Sequence, residues 1–247
     1  MRYEFGIDLG GTTVKLAFFT ESGEMLTKWE IPTVTENNGQ SILSDIAAAV
    51  LGYLEKEKIA KADVLGIGIG VPGPVDEKGV VPACDNLGWG RTDVVGTLSS
   101  LTGLPVKAGN DANMAALGEC WKGSGCDNMV LITLGTGVGG GIIINGKPLV
   151  GRNGAAGEIG HLVINREETA VCGCGKRGCA EQYCSATGLV RLAKDYATAK
   201  DVFDAANGGD EAAQAVLEQY YAYLAELIAN VCIVLNPEKV VIGGGVS

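Results

Sequence analysis

Histidine is nearly missing from this chain: His161 is the only one among 247 residues. Any metal site must therefore draw most of its ligands from other side chains. Long apolar runs are missing too, and nothing approaches the ~20 residues that a membrane helix needs, so a membrane partner is not expected. Lysine and arginine form no clusters: 19 basic residues are dispersed against 29 acidic ones, for a net charge of -10. No footprint for a phosphodiester backbone results, and nucleic acid is not expected as a partner. The opening residues MRYEFGIDLG run into a strand pattern without a basic, apolar, small-residue leader, and the expected location is cytoplasmic. A GxxxxGK[ST] sequence is lacking, which excludes a Walker-type phosphate loop.

What the chain has in excess is glycine, 38 residues, about twice the usual ~7%. The glycines cluster behind apolar runs, where tight, ligand-approaching turns are built. Eight cysteines in a reducing compartment read as thiols and metal ligands rather than a disulfide framework. With 47% hydrophobic residues over this length, the chain can bury one large core or two smaller ones.

Three alternating stretches, YEFGIDL, VKLAFFT and EMLTKWEIP, separated by GGTT and ESGE, predict a β-meander over residues 3 to 33. Helical periodicity over residues 40 to 60 and the apolar DVLGIGIGVPGPV extend this to a βββαβ unit. TDVVGTLSSLTG predicts a short helix, LPVKAGN a strand, and a further helix starts near Asp111. MVLITLGTGVGGGIIINGKPLV then repeats the opening pattern: with Asp8 set against Thr133, Leu9 meets Leu134 and Gly10 meets Gly135. The chain reads as an internal duplication, a small α/β domain over 1–109 and a larger one over 110–247, with a cleft between them. Helices are expected over 185 to 197 and 211 to 235, then the strand KVVIGGG. A strand ending in three glycines normally opens into another element, so a further C-terminal segment is expected.

The run Asp8-Leu9-Gly10-Gly11-Thr12-Thr13 places a carboxylate at a strand end before a glycine pair and two hydroxyls. That composition lets several donors face one anion; a plain hairpin turn is the other reading. The duplicate, Thr133-Leu134-Gly135-Thr136-Gly137-Val138, supplies a second such turn, and two turns from two halves can hold the two ends of a polyphosphate. The embedded GxGxxG (Gly135, Gly137, Gly140) precedes a strand rather than a helix and speaks only weakly for a dinucleotide fold. In Gly109-Asn110-Asp111-Ala112-Asn113, Asp111 either caps the helix behind it or is a general base, taking a hydroxyl proton while the oxygen attacks a γ-phosphoryl group. In the second reading Asp8 is the candidate to orient magnesium.

Glu158 and His161, three positions apart, would share a face on one helical turn. His161 precedes Cys172, Cys174 and Cys179 in CGCGKRGC. Three thiolates and one imidazole have the softness and number that zinc takes in structural sites; a redox pair or unligated thiols are the alternatives. Cys84, Cys120, Cys126, Cys184 and Cys232 read as core or surface thiols.

In chain order, DLGGTT, PGPV, NLGW, NDAN, LGTGVGGG, GEIGH and CGCGKRGCAEQ resemble the ROK family of sugar kinases and regulators, and NLGW, ALGECWKG and SATG are most similar to its bacterial glucokinases. The resemblance implies duplicated actin/hexokinase-like (ribonuclease H-like) α/β ATPase domains, ATP with Mg2+, and phosphoryl transfer to the 6-hydroxyl of a hexose, glucose first. It implies Asp111 as base, and Asn86, Asn110, Asp111, Glu158, His161 and Glu181 as sugar contacts. Asp8, Gly10, Gly11, Thr12, Thr13, Thr133, Gly135, Thr136 and Gly137 would surround the nucleotide. His161, Cys172, Cys174 and Cys179 would hold a structural Zn2+, and a homodimer is the expected assembly. N-acetylmannosamine is the rival substrate; a sugar-binding regulator and a non-catalytic homologue are the rival functions.

Overall fold

The structure, a computed structural model, describes residues 2–246. The chain divides into two compact units, Met1–Met114 with Gly151–Ala155, and Ala115–Val150 with Ala156–Ser247.

In the first unit β1 (Tyr3–Leu9), β2 (Thr13–Thr20) and β3 (Met25–Pro32) form an antiparallel meander. The period-two pattern of β1 buries Phe5, Ile7 and Leu9 on one face and leaves Asp8 exposed on the other. Helix α1 (Ile42–Glu57) buries Ile42, Ile46, Val50 and Leu54 along one stripe and ends on a left-handed Lys58. It supplies the crossover that lets β4 (Val64–Val71) pair parallel with β1. A short ribbon of β5 (Val80–Val81) and β6 (Thr92–Asp93) leads into α2 (Val94–Thr102), capped by Asp93 on the N–H of Gly96. Strand β7 (Val106–Asn110) then adds parallel to β4, for a sheet order of β3-β2-β1-β4-β7. Aromatic rings consolidate the core: Phe5 and Phe18 lie 4.7 Å apart, and Trp29 stacks on Tyr53 at 4.8 Å.

Helix α3 (Asp111–Gly118) runs on through a π-helical turn, Glu119–Ser124. In the second unit β8 (Met129–Leu134) is almost wholly buried. Strands β9 (Val138–Ile144) and β10 (Lys147–Pro148) follow it antiparallel, and β11 (Lys239–Gly243) pairs with it in parallel. The order β10-β9-β8-β11 repeats β3-β2-β1-β4, so the duplication legible in the sequence is present in the topology.

Helices α4 (Glu181–Cys184), α5 (Ala186–Ala193), α6 (Ala199–Asn207) and α7 (Glu211–Leu235) pack with this sheet. On α7, Leu217, Tyr220, Leu224, Leu227 and Val231 are buried at alternating spacings of three and four, the stripe expected of an amphipathic helix. The single helix expected over 185 to 197 is corrected. Helix α5 stops at Ala193, where Lys194 turns to a φ of 59°, and α6 opens separately on a capping box of Thr198 and Asp201. Among the described residues no helix is long and apolar enough to cross a membrane.

Candidate active site

The first glycine turn joins β1 to β2. The Gly10 N–H donates to the Thr13 carbonyl at 3.0 Å, and the Thr33 hydroxyl donates to the Gly10 carbonyl at 2.7 Å. Gly11 and Thr12 are exposed at the tip. The turn is thus a hairpin connection with an exposed tip. Asp8 pairs with Lys15 across the ladder at 3.4 Å, an exposed contact worth ~0–1 kcal/mol. Asn86 lies exposed in the 3₁₀ turn Asp85–Leu87. Its carbonyl oxygen is 3.7 Å from where a Cβ on Gly11 would stand, so these two expected site residues are neighbours.

Asp111 opens α3 at the end of β7. The helix cap is Asn110: its Oδ1 accepts from the Asn113 N–H at 3.1 Å, and its Nδ2 donates to the Gly73 carbonyl at 3.1 Å. The reading of Asp111 as the cap is thereby corrected. Its carboxylate accepts from the adjacent Ala112 N–H at 2.8 Å. Asp111 is a solvent-exposed residue, yet the protein around it disfavours the charge. Desolvation by the surrounding protein raises its carboxyl above the usual range; the Ala112 N–H pulls it back and the charge of Asp8 raises it further. A raised carboxyl is a stronger base when ionised, which suits proton abstraction.

The second glycine turn, from Thr133 at the end of β8 to Val138, is more firmly held. The Gly135 N–H donates to the Gly137 carbonyl at 3.0 Å, and the Gly135 carbonyl accepts from the Ala186 N–H at 2.8 Å. The Thr187 hydroxyl donates to the Thr136 carbonyl at 2.9 Å. Glu181, the first residue of α4, sends its carboxylate here: Oε2 accepts from the Val138 N–H at 3.2 Å.

Glu158 and His161 bracket one short 3₁₀ turn. Only Ile159–His161 forms a 3₁₀ turn, with Glu158 as its preceding cap residue, its carbonyl accepting from the His161 N–H at 3.1 Å. A Cβ on Gly160 would stand 2.3 Å from the Val138 carbonyl oxygen, so this segment packs closely against β9.

The ligand atoms of His161, Cys172, Cys174 and Cys179 all lie within 4.8 Å of one another. The Cys172 Sγ is 3.7 Å from His161 Nδ1, and the Cys174 and Cys179 sulfurs are 3.6 Å apart. Sulfurs held ~2.3 Å from one tetrahedral zinc would sit roughly 3.8 Å from each other. The set therefore fits such an ion. Burial, with the two neighbouring thiols, pushes the Cys179 thiol up to about 12, whereas the backbone N–H of Lys176 lowers Cys174; a bound cation would offset the cost of the thiolates. The loop geometry comes from a tight turn in which the Cys172 N–H donates to the Lys176 carbonyl at 2.7 Å. Gly178 has a φ of 75°, and a Cβ there would fall 1.7 Å from the Asn165 carbonyl oxygen; no other residue fits. Of the remaining cysteines, Cys84 and Cys184 are buried, and Cys120, Cys126 and Cys232 are partly so.

Sequence reasoning missed the support behind this loop. Glu168 accepts from the Tyr183 hydroxyl, from Arg191 at 2.8 Å and from the N–H groups of Thr169 and Ala170. Those bonds, led by that from Tyr183, lower its carboxyl to about 2. Gln182 joins both ends of the ligand loop, donating to the Ala170 carbonyl at 3.1 Å and accepting from the Cys179 N–H at 3.1 Å. One of two adjacent glutamates in a polar loop, Glu167 and Glu168, carries no sequence signal for such a role.

Comparison with known proteins is consistent with this arrangement. The model of the ROK family matches residues 4–247. A glucokinase of Halalkalibacterium halodurans is 48% identical over 267 residues, covering 100% of this chain and 81% of that protein. A glucokinase of Thermotoga maritima is 36% identical, over 98% of this chain and 81% of its own length. A crystal structure of a ROK family glucokinase from Streptomyces griseus, in complex with glucose and AMPPNP, superposes with a TM-score of 0.80 at 34% identity, over 99% of this chain and 83% of that one. The fold is of the actin/hexokinase-like α/β type.

Proposed function

Because the chain belongs to the ROK family, we propose that it is an ATP-dependent hexose kinase that transfers the γ-phosphoryl group of ATP to the 6-hydroxyl of glucose. Asp111 takes the hydroxyl proton, the O6–phosphorus bond forms as the bridging bond to the β-phosphate breaks, and ADP leaves. The observation that carries the reaction class is the raised carboxyl of Asp111, released from helix capping by Asn110. The choice of glucose rests on the kinship with the glucokinases at 48% and 36% identity.

Asn86, Asn110, Asp111, Glu158, His161 and Glu181 are the proposed partners of sugar hydroxyls. A polar site of this kind discriminates because each mismatched hydroxyl leaves a buried group unpaired. Asn110 has one amide hydrogen and one lone pair left after its two structural bonds. Gly10, Gly11, Thr12 and Thr13, and Thr133, Gly135, Thr136 and Gly137, would offer N–H groups and hydroxyls to the phosphates. Mg2+, which Asp8 would orient, neutralises charge on the phosphates when bound. Zn2+ on His161, Cys172, Cys174 and Cys179 would be structural, tying the loop before Glu181 to the segment of His161.

The test is a panel of hexoses with ATP, read as sugar-dependent ADP release. Glucose is expected to give the highest kcat/KM. A preference for N-acetylmannosamine would keep the reaction and replace the substrate, and no release with any hexose would sink the proposal. Sedimentation of the same sample tests the expected homodimer.

A further inference from the structure

The second glycine turn contains two glycines that differ in what surrounds them. At Gly135 an added Cβ would meet nothing within 4 Å. At Gly137 it would stand 2.4 Å from Oε2 of Glu181 and 3.3 Å from its Cδ. Neither glycine has a left-handed φ, so backbone conformation permits alanine at both. What excludes a side chain at 137 is the carboxylate. That carboxylate has two differently occupied oxygens: Oε2 is held by the Val138 N–H at 3.2 Å, and Oε1 faces the cysteine cluster, 3.8 Å from the Cys172 sulfur.

We infer that Gly137 is a positioning residue for Glu181. The missing methyl group lets the Val138 N–H fix Oε2, which aims Oε1 at a sugar hydroxyl on the side of Cys172. A glycine in a turn of nucleotide-binding type thereby governs sugar affinity. The inference rests on the proposed hexose site and adds to it a reason for one particular glycine. A turn built only for close phosphate approach would instead make alanine at either position weaken nucleotide binding.

Glucose binding by calorimetry, with KM for glucose and for ATP, would be measured for the wild type, Gly135→Ala, Gly137→Ala, Glu181→Asp and the double variant Gly137→Ala/Glu181→Asp. Gly137→Ala is expected to weaken glucose binding on the order of ten- to a hundredfold, the cost of misplacing a charged acceptor, well beyond any rise in the KM for ATP. Gly135→Ala, where an added Cβ meets nothing within 4 Å, should weaken glucose binding far less than Gly137→Ala does. The double variant should lose less than the product of the two single losses, because the shorter carboxylate vacates the space that the new methyl takes. Equal loss of ATP and glucose affinity in Gly137→Ala, or a strictly multiplicative double variant, would overturn the inference.

A wild type that binds no glucose would defeat the proposed substrate alone. The positioning is then read from the side-chain carboxyl carbon of Glu181 by NMR: its resonance should shift in Gly137→Ala and stay in place in Gly135→Ala. An unmoved resonance in Gly137→Ala overturns the inference whatever the ligand.

Discussion

The two glycine turns stand at equivalent places in equivalent sheets, yet they are fastened differently. The turn after β1 is closed by one internal hydrogen bond and steadied from outside by Thr33, whose hydroxyl donates to Gly10 and whose N–H donates to Thr12. The turn after β8 is gripped from outside by Ala186, Thr187 and Glu181, all at the junction of α4 and α5. Duplication preserved the strand order and let side-chain chemistry diverge. The first unit, with Asp111, holds the group suited to proton transfer. In the second, the turn shares its carboxylate with the neighbourhood of the thiol cluster. Proton transfer is thus assigned to the first unit, and the thiol-linked carboxylate to the second.

Metal removal should break this contrast most severely. Chelation, or Cys179→Ser, is expected to lower Tm and abolish glucose binding together, and elemental analysis should find one zinc per untreated chain. Unchanged glucose affinity in zinc-free protein would deny the cluster its role in recognition.

Next in size is Asp111→Asn, which should lower kcat by about 10²–10⁴ while glucose still binds; loss of binding would make Asp111 a positioning residue instead. Its raised carboxyl also sets pH behaviour. The ionised base is lost as pH falls through a value above the usual carboxylate range, so the acid limb of kcat/KM should lie there. A raised folded-state value disfavours folding at neutral pH. Tm should therefore be higher in Asp111→Asn at pH 7, with the difference vanishing below the unfolded value of ~3.9.

Glu168→Gln is expected to have a moderate effect confined to the ligand loop. With a folded-state value of about 2 against an ordinary 4.5, Glu168 contributes stability that is present above the ordinary value and lost as pH falls toward the lower one. The variant should flatten that part of the curve of Tm against pH, and an unchanged curve would remove Glu168 as the anchor of the loop.

The smallest expected effects compare the turns directly. Thr33→Ala and Thr187→Ala each remove one hydroxyl-to-carbonyl bond, worth roughly 0.5–1.5 kcal/mol in denaturant unfolding. Thr187→Ala should in addition raise the KM for glucose, through Glu181 on the same turn. Identical kinetics in the two variants would erase the difference drawn between the turns.

Much of this was legible in the sequence for identifiable reasons. Alternation in YEFGIDL and VKLAFFT and the apolar stripe of α7 left little choice of element, because burial must follow the backbone period. Three thiols and one imidazole among interleaved glycines named the ligand cluster by composition. Helix α6 was missed although its signal was present, since Thr198-Ala199-Lys200-Asp201 is a capping-box spacing.

Sequence by itself thus determined the duplicated frame, the candidate ligands and the two turns, because each depends on local period, spacing or composition. Only the tertiary structure decided that Asn110 and not Asp111 caps α3, that Glu168 anchors the ligand loop, and that Gly137 makes room for Glu181. The Glu168 and Gly137–Glu181 contacts join separate segments, and Asn110 is held in its capping pose by the Gly73 carbonyl 37 residues away; no local pattern encodes these.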